Sequence, residues 1–554
     1  MPTSNHISNP LKAFNPIKAL KLAYMGYLIL AFIIGLAVLV FVALLGHSSA
    51  NVAGFFNIFG QIIADDYIRH ITYFSFLQAG LSTFVAILIA IPVARFLYRR
   101  QFWGKSYLLK LFILAFIMPT MVSVFGIIAV HGRQGIFNDF YSLFGFERVT
   151  YLYGLTGILL AHIFINMPFS ARIFLSELDN IPAEYWRLSK QLGLSEWQIF
   201  KQIEWPIMRL SLPSLASLLF ILHFTSFATV LTLGGGPSAT TLEVAIYQSL
   251  KFDFDLAKGA SLAILQLSFC LLFSLFLHRF STQINLLHSI GLGNARPKPH
   301  GKTSYIADTL VIFIIIIALI LPLSSVFYNA LAQTDFSVFG RVILWRAVNN
   351  SLILSLCAAG FATFLALSLL LSKRALADHK ISNIGYHLFS SVGNVILIVP
   401  SLVFGMGLFL LLRPYFNIFE YGLHIILVIN ALMALPYMLK TLSPAIENMA
   451  KQHSKLSRAL GISRLDRWRI IDWPTLRKPL AHSVALAATI SFGDFGVIAL
   501  FGNDQTITLP MLLYQSIGDY RSADGAVIAC ILVILAFGLY TLIDRIIGGR
   551  HAKA

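Results

Sequence analysis

The chain has 554 residues, 57% of them hydrophobic and 12% charged, with a mean hydropathy of +0.78, which excludes a string of soluble domains. Its net charge of +17 fits nucleic acid, anionic lipid or membrane topology, and only the placement of the charges separates these.

In chain order, a polar segment 1–21 precedes an apolar run too long for a signal-peptide core, read as an uncleaved first span. Runs free of Lys and Arg then predict twelve spans: 22–45, 72–93, 111–130, 152–170, 211–233, 259–278, 309–327, 348–372, 385–412, 422–439, 481–501 and 525–543. They are continuous apolar runs, not alternating strands, so helices are expected and not a barrel. Loops on the N-terminal side hold 32 Lys and Arg against 11 acids, and those on the other side 9 against 12. This asymmetry predicts cytoplasmic termini and makes nucleic acid unnecessary. Cys270, Cys357 and Cys530 lie within apolar runs and read as small core residues.

Segments 158–213 and 426–481 align at an offset of 268, pairing Pro168 with Pro436, Gly193 with Gly461, Trp205 with Trp473 and Pro206 with Pro474. Further on, Ser226-Phe227 is matched to Ser491-Phe492, which sets Thr229 opposite Asp494. Six spans per half give the repeats one orientation. The expected division is a segment 1–21, a first repeat 22–278, a linker 279–308, a second repeat 309–543 and a tail 544–554. Each repeat carries a long basic loop, 171–210 or 440–480, that reads as helix, glycine, helix, proline. In the first, Pro182 and Glu184 form the opening turn, Gly193 is the left-handed stop, and Ser195 with Gln198 makes a capping box. In the second, Ser443 is expected to cap a helix opened by Pro444 and stopped at Gly461; Pro206 and Pro474 are expected to end the second helices.

Leu192-Gly193 and Leu460-Gly461, each followed thirteen residues after its glycine by Pro206 or Pro474, resemble the cytoplasmic coupling loop of binding-protein-dependent ABC importer permeases. Where that family has Glu-Ala-Ala, this chain has Arg187-Leu188-Ser189 and Lys455-Leu456-Ser457. Stretches such as FGIIAVHGRQG, SFATVLTLGGGPSATTLEVAIYQ and SFGDFGVIALFGND are similar to the fused permeases of bacterial thiamin and thiamin diphosphate importers. The resemblance implies an all-α polytopic membrane protein of about 12 transmembrane helices, as two parallel six-helix repeats with cytoplasmic coupling helices, in the bacterial inner membrane. It implies a dimer of ABC ATPase subunits and a periplasmic thiamin-binding protein as partners, besides the bilayer. Glu184, Arg187, Leu192, Gly193, Pro206, Lys455, Leu460, Gly461 and Pro474 are then the expected coupling residues. Fused ferric-iron permeases share the architecture and are the alternative; an ion-coupled secondary transporter is the alternative of another class.

A nucleotide site would show G-x-x-x-x-G-K-[ST], but Arg99 and Arg296 stand where the first glycine belongs ahead of Gly104-Lys105-Ser106 and Gly301-Lys302-Thr303. No catalytic residues and no cofactor or metal are therefore expected in this chain, with ATP and Mg on the partner ATPase. Asp494 is the one carboxylate within a span and a candidate for the translocation path, with Thr229, His162, Asn166 and Asn430. Interhelical hydrogen bonding is the alternative reading of His162 and Asn166, four apart on one helix face. A carboxylate at Asp494 would favour a thiazolium cation over a diphosphate.

Overall fold

The computed structural model describes residues 16–47, 60, 64–278, 302–332, 336–379, 383–418, 420–459, 464–519 and 521–549. In the first half, α1 (Pro16–His47), α2 (Asp66–Arg99), α3 (Lys105–Ile117), α4 (Thr120–His131), α5 (Ile136–Leu143) and α6 (Leu155–Asp179) lead to a knuckle of α7 (Ala183–Gln191) and α8 (Glu196–Ile199). Then come α9 (Trp205–Phe224), α10 (Ala228–Leu233), α11 (Leu242–Lys251) and α12 (Leu256–His278). The second half repeats the order: α13 (Lys302–Ala332), α14 (Val342–His379), α15 (Asn383–Ile398), α16 (Ser401–Leu412), α17 (Gly422–Ala459), α18 (Arg464–Arg467), α19 (Trp473–Phe492), α20 (Gly496–Phe501), α21 (Leu509–Gly518) and α22 (Ser522–Gly548).

Among the described residues ten helices are long and apolar enough to cross a membrane, or eleven if the bent pair at Pro119 counts as one span. That pair turns through 110°, because Pro119 withholds the amide that would continue the helix and Met118 before it is extended, ψ 139°. Pro400 makes the equivalent break between α15 and α16. The fifth and eleventh spans end sooner than the apolar runs suggest. Each stops, at Phe224 or Phe492, and resumes after a break of three residues as a six-residue helix.

Each half is built around a close helix pair, α2 on α6 and α14 on α17. Ser75, Ala79, Ser82, Ala86 and Ala90 form a buried small-residue stripe on α2, and Ser351, Ser355, Ala358, Ala362 and Ala366 repeat it on α14. In lipid no hydrophobic force drives helices together, so small residues that let backbones approach carry the association. The halves also interlock, since α1 packs on α14 and α16, while α13 packs on α4. At the second contact Gly126 approaches Pro322 so closely that a Cβ would sit 2.8 Å from its carbonyl oxygen.

Three sequence expectations are corrected here. Ser443 does not begin a helix: α17 runs unbroken through Pro436 and Pro444, and Ser443 Oγ donates to Glu447 Oε1 at 2.9 Å. One missing backbone bond in a long packed helix costs less than an exposed break. Pro206 and Pro474 do not end helices either. In each case a five-residue π-turn, Phe200–Glu204 or Trp468–Asp472, widens the helix just ahead, and the proline takes the opening turn of α9 or α19. Cys357 is exposed, not a core residue.

Replacing Ala86 or Ala362 with Leu is expected to force α2 from α6, or α14 from α17, at about 1–3 kcal/mol each. Thermal unfolding of purified protein in detergent checks this; the midpoint should fall for both, while Phe84→Leu on an exposed face leaves it unchanged.

Candidate functional site

The knuckle of the first half is set by local chemistry. Gly193 takes φ +60°, a conformation open to glycine, and two bonds close the end of α7: Gly193 N–H donates to Lys190 O at 3.2 Å and Leu194 N–H to Ser189 O at 3.0 Å. Ser195 and Gln198 then form the capping box that opens α8. The result is an amphipathic peg. Trp186 and Ser189 are buried, with Trp186 against Tyr98, its ring 5.8 Å away. Tyr185, Leu188 and Leu192 are each more than half exposed, beside exposed Glu184 and Arg187.

Behind the peg lies an ionic cluster that sequence reasoning missed. Arg95 Nε donates to Glu204 at 2.5 Å and Arg95 Nη2 to the Glu196 carbonyl at 2.7 Å. Arg99 bridges Glu196 and Asp308, both at 2.9 Å, and Ser304 Oγ donates to Glu196 at 2.9 Å. Glu204 and Asp308 are fully buried. The cluster fastens α8 and its π-turn to α2 of the same half and to α13 of the other. A signal was present in Arg95 and Arg99, one helical turn apart at a span end, with Glu196 and Glu204 in the following loop of the same half. Lys105, from the incomplete phosphate-loop match, is buried and donates to the carbonyls of Leu97 and Arg100.

In the second half Lys455 lies on α17, while Leu460 and Gly461 fall outside the described residues. Pro474 opens α19. Ionic ties here are shorter in reach: Lys373 to Glu447 at 2.9 Å and Arg467 to Asp472 at 3.5 Å.

At the centre the two helix breaks meet. The Phe227 and Phe495 rings stack at 5.6 Å and 15°, with Tyr247 edge-on to the first at 5.1 Å and Tyr514 tilted on the second at 5.0 Å. Because α9 and α19 end at Phe224 and Phe492, the offset of 268 persists through the break. The pairing read from the Ser-Phe identity is thus corrected: Asp494 corresponds to Ser226, not Thr229, and Ser491 to His223. The helix end, not a two-residue identity, sets the register.

Asp494 lies in the break just ahead of α20, close to the amides of Gly496, Val497 and Ile498 and to the Asn430 side chain, and its Oδ2 is buried without a hydrogen-bond partner. Thr229 is buried on α10 with its hydroxyl unpartnered. His162 and His223 stack at 4.4 Å and join α2, α6 and α9. His162 bonds Ser82 at 2.8 Å and Ser226 at 2.9 Å; His223 bonds Thr83 at 3.0 Å and Asn166 at 3.0 Å. The Asn166 amide can only donate to His223 Nε2, so His223 carries its proton on Nδ1 and gives it to Thr83. The second half keeps a smaller version, with Asn430 Nδ2 donating to Ser491 Oγ at 3.1 Å.

At the opposite end from the knuckle, Asp253, Asp255 and Asp519 are exposed, with Phe252 and Phe254 beside the first two. Asp524, at the start of α22, is buried and held by Arg341 at 2.5 Å. Gly235 and Gly236 adopt φ +71° and +137°, the tight turn after α10.

The binding-protein-dependent transport system inner membrane component family matches twice, over residues 82–286 and 374–547. The thiamine transport system permease protein ThiP of Salmonella typhimurium is 42% identical over 489 residues, 88% of this chain and 91% of that one. The protein of that name from Haemophilus influenzae is 42% identical over 488 residues, 86% and 89% of the two chains. The one from Brucella suis is 39% identical over 490 residues, 88% and 89%. With two matched repeats and relatives aligned along most of its length, this chain belongs to the family of binding-protein-dependent transport system inner membrane components.

Proposed function

We propose that this chain is the membrane-spanning permease subunit of an ATP-driven importer that carries thiamin or its phosphate esters from periplasm to cytoplasm. Both termini are cytoplasmic in this reading, and hydrolysis belongs to a separate ATPase dimer that holds ATP and Mg. A periplasmic binding protein delivers the cargo to the end bearing Phe252, Asp253, Phe254 and Asp255. The observation that carries the coupling role is the outer face of α7, where Tyr185, Leu188 and Leu192 stand exposed on a peg backed by buried ion pairs. Exposed apolar side chains rimmed by charge are what a partner's cleft covers. The cargo follows from the thiamine permeases that align with most of the chain.

In this mechanism Glu184, Arg187 and Leu192 meet the ATPase, with Lys455 and Leu460 at the equivalent place in the second half. Gly193 sets the elbow, with Gly461 its counterpart in the repeat by sequence, and Pro206 and Pro474 lead each stroke into α9 and α19. Closure of the ATPase moves the peg, and the ionic cluster passes that motion to α2 and α13 together. The stacked Phe227 and Phe495 form the barrier that has to part for cargo to pass. Asp494, Thr229, His162, Asn166 and Asn430 flank that barrier. The polar bonds of His162, Asn166 and Asn430 keep α6 and α17 aligned with α9 and α19 as it opens.

Uptake into proteoliposomes tests the reading. The chain with its ATPase and binding protein should import thiamin only with ATP and regardless of protonophores; protonophore-sensitive uptake by this chain alone would contradict it. Gly193→Val places a β-branched residue at φ +60°, a strain of at least about 1–2 kcal/mol. It should cut thiamin-stimulated ATP hydrolysis tenfold or more without loss of folded protein. Glu204→Gln, which leaves Arg95 facing a neutral group, should likewise lower the thiamin imported per ATP hydrolysed. Unchanged coupling in both variants would remove the peg from the mechanism.

A further inference from the structure

Between the halves, toward the knuckle end, lies a cavity of about 140 Å³. Its walls come in repeat-equivalent pairs at the offset of 268: Phe169 with Tyr437, Arg172 with Lys440, and Leu218 with Leu486. The cavity therefore straddles the pseudo-two-fold axis, on the line a cargo follows between the halves. Two observations give it a chemistry. First, Arg172 and Lys440 both line it and neither makes a hydrogen bond or ion pair among the described residues, whereas the neighbouring Arg95, Arg99 and Lys373 are all paired. Second, no Asp or Glu among the described residues lines the cavity. Asp544 on α22 acts on His482 from outside the lining, and His482 is held by the Tyr540 hydroxyl at 2.5 Å.

Two like charges facing one small space repel each other, and an anion between them relieves that repulsion. An arginine fork with a lysine point charge suits phosphate oxygens. Phe116 and Phe169, stacked at 4.3 Å, give the same cavity an apolar aromatic wall.

We propose that this cavity is an inward-facing subsite for an organic phosphate ester, in which Arg172 and Lys440 hold the phosphate while the Phe116–Phe169 wall faces the heteroaromatic body. The proposal rests on the permease reading and deepens it: at this step the chain favours a phosphorylated cargo over the free thiazolium cation. Asp494 lies at the central break and Glu243 on α11 beside Gln266, and neither lines this cavity.

The test uses the whole complex with its ATPase and binding protein, comparing wild type with the Arg172→Gln/Lys440→Gln double variant in phosphatidylcholine vesicles. Uptake of thiamin diphosphate should fall tenfold or more while thiamin uptake stays within about twofold, and Arg172→Lys/Lys440→Arg should restore the diphosphate. Equal losses for both cargoes, or none, would overturn the subsite. A lipid phosphate is the other source of the same chemistry; if the variant's defect appears only with phosphatidylglycerol present, the lipid is the occupant and the proposal fails. Independently of transport, millimolar thiamin diphosphate or inorganic pyrophosphate should shield Lys440 from an amine-acylating reagent, read by mass spectrometry, and thiamin should not. Absence of shielding refutes the subsite even where uptake proceeds, whereas a wild-type complex that shields Lys440 but imports neither cargo refutes the permease reading instead.

Discussion

The buried ion pairs between Arg95, Arg99, Glu196, Glu204 and Asp308 are the contact on which the working of this fold depends. Pairs of this kind contribute little net stability, because desolvation offsets most of the attraction. Their value is directional. Removing one partner strands a charge at a cost of about 3–5 kcal/mol, so the three elements they join resist sliding independently. The peg is thereby bound to a helix of each half, and its motion is shared.

The duplication is symmetric at the centre and asymmetric at the knuckle end. Around the axis, the small-residue stripes, the proline breaks, the aromatic stack and the cavity walls all occur in pairs. At the knuckles the first half breaks its helix near Asn180 and makes a separate peg, while the second extends α17 without interruption to Ala459. The polar ties differ as well: the first half stacks two histidines between α6 and α9, where the second uses Asn430 and Ser491. Fusing the repeats into one chain frees each copy to drift in this way, since neither has to satisfy a two-fold alone.

Much of this is legible in the sequence. Charge placement separates the two sets of loops, and the recurrence of Leu-Gly and Trp-Pro at one offset exposes the duplication. Gly193 and the Ser195–Gln198 pair act locally, so their turn and cap are readable from neighbours a few residues away. The ionic cluster is not, because its partners stand 109 and 209 residues apart and only packing brings them together. The centre misleads for a different reason. Thr225 to Phe227 and Gly493 to Phe495 leave the helix inside long apolar runs, where one or two polar residues do not by themselves mark a break. Pro444 misleads in the opposite sense, since packing along α17 overrides a local helix-start signal.

Capture of the neighbour of α7 in native membranes probes the central claim most directly. With a photoreactive amino acid at Leu188 and the partner ATPase co-expressed, light should join this chain to the ATPase, with a yield that changes between nucleotide-free and ATP-bound states. Crosslinks to lipid alone, with the ATPase present and transport intact, would contradict the account.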